Sequence, residues 1–362
     1  MSERHLTRPD LDALPSYVPG RNPSDLAREL GLPEAIKLAS NEVPYGPLPG
    51  VTEAITTAAT QVHRYPDMGV VALRELIAER YGVDVSRVAT GCGSVALTEH
   101  LVKAATLPGD EVVYSWRSFE AYPIIAAGAG AVSVRVPNNA VHGHDLDAMA
   151  AAVTDATRLV LVCNPNNPTG TAVRRVELDR FVDLVPPDVL IVIDEAYREF
   201  VTDAEVPDAL LRYGDRPNVV VLRTLSKAWG LAGLRIGWLA AAPEVADAVR
   251  KVVTPFSTNS VAQAAAIAAL GETDEMRRRV DLVVAERDRV HKAVLALVPG
   301  VPETQSNFVW LPLRDGAAGF AAACEQRGVI VRAFAGDGVR VTIGTPEEND
   351  AFLAAAEAAL KA

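Results

Sequence analysis

From about residue 88 to residue 240 the chain alternates short apolar runs with stretches of helical period. The runs are Val88 to Thr90, Glu111 to Tyr114, residues 131–136, Leu159 to Cys163, Val189 to Ile193 and Val219 to Leu222. Strands that alternate with helices run mostly parallel, and their crossovers cover both faces of the sheet. A continuous apolar run such as Val189-Leu190-Ile191-Val192-Ile193 fits a central strand buried on both sides. In sheets of this kind ligands sit beyond the C-terminal strand ends. Four of those ends carry polar residues and converge: Gly91-Cys92-Gly93-Ser94, Asn164 to Gly170, Asp194-Glu195-Ala196-Tyr197 and Thr224-Leu225-Ser226-Lys227.

Each end offers a particular chemistry. A lysine nucleophile must be neutral to attack, so Lys227 needs surroundings that lower its pKa. Thr224, Ser226 and Arg235, in Gly-Leu-Arg-Ile-Gly, supply two hydroxyls and a guanidinium beside that amine, which is a phosphate-binding set. Strand, glycine turn and helix start at Gly91 to Ser94 turn free N–H groups towards an anion. The segment is neither GxGxxG nor a P-loop, since Ala96 replaces the last glycine and no Gly-Lys-Ser/Thr follows. Prolines stiffen Asn164-Pro165-Asn166-Asn167-Pro168-Thr169-Gly170, whose amides can donate to a ring oxygen. Asp194 at a buried strand tip needs a cationic partner, either a pyridinium nitrogen or a magnesium ion. Phe119, in Trp116-Arg117-Ser118-Phe119-Glu120-Ala121-Tyr122-Pro123, is either core or a platform for a planar ligand.

The flanks differ from this middle. Residues 1 to about 35 are rich in proline and charge and read as an extended arm with a short helix at Asp25 to Leu30, carrying Tyr17. Residues 36–42 read as a short strand leading into the main domain, and 51–61 and 70–81 as helices. Beyond Pro243 come helices near 244–254, 259–270 and 275–297, with Arg277, Arg278, Arg279, Glu286 and Arg287 assigned to a solvated face. Short strands at 307–311, 329–331 and 339–343 then alternate with helices at 317–327 and 347–361, as in a smaller α+β domain. Arg340 lies in one of those strands and, facing inwards, would need an anion. The expected division is an arm at 1–40, a large domain at 41–250 and a small domain at 251–362, as a chain of 362 residues allows.

The net charge of −11 disfavours nucleic-acid binding. Cys92, Cys163 and Cys324 have no metal-ligand spacing and the histidines form no HExxH pattern, so no metal is expected; His142 and His144 read as solvated loop residues. The N-terminus has no apolar leader and no apolar run reaches membrane-spanning length, which points to the cytoplasm and away from the membrane.

Asn167 in NNPTG, Asp194 in DEAY, Lys227 in TLSK and Arg235 in GLRIG together resemble the signature of the fold-type I pyridoxal-phosphate-dependent aminotransferases. The resemblance runs from Tyr17 to the C-terminal helix. It is greatest to the histidinol-phosphate aminotransferase branch. Within that branch GCGSV, WRSFEAYP, NFVWLPL and DGVRVTIG are similar to the actinobacterial aromatic amino acid (phenylalanine) aminotransferases. It implies an α/β fold with a mostly parallel seven-stranded sheet and a smaller α+β C-terminal domain. It also implies a homodimer, and pyridoxal 5′-phosphate held as a Schiff base on Lys227. In that pattern Lys227 shuttles the proton, Asp194 pairs with the ring nitrogen, and Asn167 and Tyr197 bond the ring oxygen. Phe119 stacks where many relatives have Tyr. Ser94, the N–H of Val95 where relatives often have an acid, Thr224, Ser226 and Arg235 hold the phosphate. Tyr65 reaches the neighbouring subunit's phosphate. Arg340 binds the substrate carboxylate, and Tyr17 and Asn41 line the substrate pocket. The implied reaction is a ping-pong transfer between an aromatic amino acid and a 2-oxo acid such as 2-oxoglutarate. Histidinol-phosphate transamination is the alternative, with Arg21 and Arg332 available for a substrate phosphate. A threonine-phosphate decarboxylase-like lyase and a non-catalytic cofactor-binding regulator are further rivals.

Overall fold

The computed structural model describes residues 6–14 and 21–361. In chain order the strands are β1 (Ile36–Lys37), β2 (Val88–Gly91), β3 (Glu111–Trp116), β4 (Val132–Pro137), β5 (Thr157–Cys163), β6 (Leu190–Asp194), β7 (Val219–Thr224), β8 (Gly237–Ala240), β9 (Phe308–Leu311), β10 (Val329–Ile330), β11 (Arg332–Phe334) and β12 (Gly338–Thr342). Seven of them form one sheet in the order β2-β8-β7-β6-β5-β3-β4. All neighbours pair parallel except β8, which runs antiparallel to both β2 and β7.

Residue-by-residue alternation explains why the middle strands read as unbroken apolar runs. On β5, Val160 and Val162 enter one core cluster, whereas Leu159, Leu161 and Cys163 enter another. On β6, Ile191 and Ile193 divide from Val192 in the same way. Both faces of the sheet are therefore covered, so the runs Leu159 to Cys163 and Leu190 to Ile193 are apolar on both sides. A fully buried aliphatic side chain of this type contributes about 1.5–3 kcal/mol relative to exposure.

The C-terminal part carries an antiparallel sheet in the order β11-β12-β9, against which the helix Ala317–Glu325 packs, and the helix Pro346–Lys361 packs in turn on that helix and on the helix Thr273–Leu297. The segment 36–42 departs from the expected lead-in. Ile36 and Lys37 pair with Val329 and Ile330 of the C-terminal part, and Thr342 N–H donates to Leu38 O. Two solvated assignments also fail. Arg287 is 2% exposed, with Nη1 donating to Phe200 O at 2.8 Å. His144 is buried, and its Nε2 lies 2.7 Å from Cys163 O. In both cases a nitrogen of the buried side chain meets a backbone carbonyl from another element, which helical or loop period cannot reveal.

Candidate active site

The strand register aligns the four polar ends. Cys163 pairs with Asp194, Asp194 with Leu222, Thr224 with Gly237, and Gly237 with Gly91. One pocket opens over this line. Its walls include Asn41, Ser94, Val95, Phe119, Asn167, Asp194, Tyr197, Thr224, Ser226, Lys227, Arg235 and Arg340. Twelve of the residues singled out from the sequence thus meet in one cavity. Tyr65 does not: it is 82% exposed and stacks on Phe256 with ring centroids 4.5 Å apart. Tyr17 lies outside the described residues.

Burial sets the protonation behaviour of the two ionisable groups at the floor. Loss of hydration, reinforced by the Arg340 guanidinium, lowers the Lys227 amine to about 8. Desolvation raises Asp194 to about 6, against the stabilising hydrogen bond from Tyr122. Tyr122 Oη donates to Asp194 Oδ2 at 2.9 Å, and Ala196 N–H donates to Asp194 Oδ1 at 3.2 Å. Lys227 Nζ stands 5.8 Å from the centroid of the Tyr197 ring. Burial also raises the Tyr197 phenol, so it remains a proton donor at neutral pH.

At one end the pocket narrows into a polar cradle. The helix Gly93–Ala105 begins there without a side-chain cap, which leaves the first-turn N–H groups, those of Ser94 and Val95 among them, turned to the pocket end. Thr224 Oγ1 donates to Ser226 Oγ at 2.9 Å. Arg235 adopts φ 58°, a left-handed conformation uncommon for a non-glycine residue, and lays its guanidinium against Gly93. A Cβ at Gly93 would come 2.5 Å from Arg235 Nη2, and one at Gly237 would come 2.4 Å from Ser94 N. The glycines are therefore what allow helix start, strand β8 and guanidinium to converge. Two hydroxyls, helix N–H groups and a guanidinium are the donor set for a phosphate.

At the other end stand groups from the C-terminal sheet. Arg340 Nη1 donates to Asn167 Oδ1 and its Nη2 to Ala39 O, each at 2.6 Å. Asn41 Nδ2 donates to Tyr197 Oη at 2.8 Å. Arg332 also lines the pocket and pairs with Glu120 at 2.9 Å. The sequence reading missed Tyr122, Cys163 and the backbone of Ala39-Ser40 as parts of the site. Tyr122 had a signal, since it stands three residues after Phe119 and their rings meet edge-to-face at 5.5 Å. Ala39 had none.

The sequence model of the aminotransferase class I and II family matches residues 33–355. A curated aromatic amino acid aminotransferase of Streptomyces coelicolor is 56% identical over 350 residues, spanning 97% of this chain and 96% of that protein. One of Thermobifida fusca is 54% identical over 360 residues, spanning 98% of each. Among solved structures, histidinol-phosphate aminotransferase from Sinorhizobium meliloti, determined in complex with pyridoxal-5′-phosphate, superposes with a TM-score of 0.87 at 29% identity over 99% of both chains. The sheet and its flanking helices are those of fold-type I, and the chain belongs to the aminotransferase class I and II family.

Proposed function

We propose that this protein is a pyridoxal-phosphate-dependent aminotransferase that moves an amino group between an aromatic amino acid and a 2-oxo acid such as 2-oxoglutarate, in a ping-pong cycle. The reading is carried by one observation: Lys227, Asp194 and Arg340 line a single pocket in a chain 56% identical to an aromatic amino acid aminotransferase. The donor set fits the cofactor, because a phosphate cradle closed by Gly93 and Gly237 lies in the same cavity as a buried carboxyl in need of a cation.

Pyridoxal phosphate, when bound, supplies an aldehyde that condenses with amines and a ring that withdraws electrons. Ser94, the Val95 N–H, Thr224, Ser226 and Arg235 would hold its phosphate. Asp194 would hold the ring-nitrogen proton, kept ionised by that positive charge and by Tyr122. Asn167 and Tyr197 would donate to the ring oxygen, and Phe119 would cover one face. Lys227 Nζ, with its pKa lowered to about 8, exists partly as the free amine at neutral pH and can take up and return a proton. Arg340 would hold the substrate carboxylate, and Asn41 and Tyr17 would line the substrate pocket. Tyr65 would serve the neighbouring subunit of a homodimer. The division into arm 1–40, large domain 41–250 and small domain 251–362, and a cytoplasmic location, belong to the same reading. No described helix is long and apolar enough to cross a membrane.

The histidinol phosphate alternative is less well supported. Arg21 is engaged with Glu29 and Glu325, and it is not among the pocket-lining residues. Arg332 stands beside the Glu120 carboxylate, which a phosphate dianion would have to face. The test is kcat/KM for phenylalanine, tyrosine, tryptophan and histidinol phosphate with 2-oxoglutarate as acceptor. A marked preference for the aromatic amino acids is expected; a thousandfold preference for histidinol phosphate would overturn the reading.

A further inference from the structure

Tyr197 has one hydroxyl proton, and where it points depends on Asn41 in the pocket wall and on Thr342, which is not among the lining residues. Asn41 Nδ2 donates to Tyr197 Oη at 2.8 Å, so the phenol accepts on that side and its own proton is left for another direction. The orientation of the Asn41 amide is set in turn by Thr342. Asn41 N–H donates to Thr342 Oγ1 at 2.9 Å, and Thr342 Oγ1 donates to Asn41 Oδ1 at 3.0 Å. Thr342, Asn41 and Tyr197 are all buried, with exposures of 4%, 2% and 3%. Turning the Asn41 amide over would put its NH2 against Thr342, leave a buried hydroxyl proton without an acceptor and aim the Tyr197 proton at Asn41. The backbone around Asn41 is fixed as well: φ is 53°, and Asn307 Nδ2 donates to Asn41 O at 3.2 Å and Glu42 O at 3.3 Å.

We propose that Thr342 is a positioning residue that, through Asn41, commits the Tyr197 hydroxyl to donate into the pocket. The inference rests on the reading that Tyr197 donates to the ring oxygen of bound pyridoxal phosphate. A donor there favours the ionised oxygen and lowers the pH at which the bound cofactor changes colour. Thr342 stands two residues from Arg340 on β12 and so faces the same side of that strand. One strand of the C-terminal sheet thus carries both the proposed carboxylate anchor and the control of a proton donor.

The test is a pH titration of the visible absorbance of the full chain reconstituted with pyridoxal phosphate. Tyr197→Phe is expected to raise the midpoint. Thr342→Val should raise it too, by about half a pH unit or more, while Thr342→Ser, which keeps the hydroxyl, holds the wild-type value. In the Tyr197→Phe background, Thr342→Val should move nothing further. Asn41→Asp, whose oxygens can only accept from Tyr197, gives a second variant should Thr342→Val not fold, and must raise the midpoint. A wild-type midpoint in Thr342→Val, or an equal shift with and without the Tyr197 hydroxyl, overturns the inference and leaves the function intact. A wild-type protein that takes up pyridoxal phosphate without any visible band overturns both.

Discussion

An amine and a carboxyl buried in the same pocket leave opposite marks on stability. Lys227 is lowered from 10.5 to about 8, so between those values the unfolded chain holds a proton that the folded chain has released. Stability of the cofactor-free protein therefore rises with pH across that window, and the cost of burying the ammonium is full below it. Lys227→Met is expected to raise the cofactor-free melting temperature at pH 7, with the gain shrinking as pH climbs from 8 towards 10.5. Asp194 behaves inversely. It is raised from 3.8 to about 6, so its burial cost is complete above pH 6 and disappears as pH falls towards 4. Asp194→Asn should stabilise the cofactor-free protein above pH 6 and weaken binding of pyridoxal phosphate. Thermal melts over pH 4–10 test both. Lys227→Ala should abolish transamination and the visible absorbance of the loaded protein together; survival of both would refute the assignment of the amine.

At the scale of elements, the tips of β6 and β7 present different chemistry on their two sides. Asp194 and Thr224 line the pocket, whereas their sequence neighbours Glu195 and Arg223 form a buried ion pair behind it. Arg223 Nη2 lies 2.6 Å from Glu195 and 2.8 Å from Asp208, and the guanidinium stands over the Tyr81 and Trp238 rings. Removing one member of such a pair strands its partner, so Arg223→Met should destabilise the protein by about 3–5 kcal/mol, measured by chemical denaturation. Gly237→Ala should press β8 against the start of the helix Gly93–Ala105, costing about 1–3 kcal/mol and weakening cofactor affinity. Asp194 and Thr224 were legible in the sequence because each ends an apolar strand, and Lys227 because it follows three residues later in Thr-Leu-Ser-Lys. Thr342 and His144 were not, because what defines them is a partner elsewhere in the chain, Asn41 across 301 residues and Cys163 across 19; for Tyr122 its nearness to Phe119 was legible, but its bond to Asp194 across 72 residues was not. Period and propensity describe neighbours within a turn or a ladder; they carry no information about which distant element arrives. Arg287 was misassigned for the same reason, its helical face being covered by the backbone at Phe200.

At the scale of the whole molecule, the one proposed cofactor contact that stands apart from the pocket is Tyr65. Its ring is exposed and stacked on Phe256, and Met68 and Val71 beside it are exposed too. An apolar strip of this kind next to a residue assigned to another subunit's phosphate is what a two-fold dimer would cover. If Tyr65 serves its neighbour, two damaged chains can repair one another. A Lys227→Ala subunit brings an intact Tyr65 to its partner, and a Tyr65→Ala subunit brings an intact Lys227. Dissociating and remixing equal amounts makes hybrids, each with one site that has both residues and one that lacks both. Random pairing then restores roughly a quarter of the wild-type activity per site, whereas each variant alone stays impaired. If Tyr65 acted within its own subunit, no site in the hybrid would hold both groups and remixing would restore nothing. Sedimentation velocity on the same mixtures supplies the control, since the hybrids must be dimers for the comparison to count.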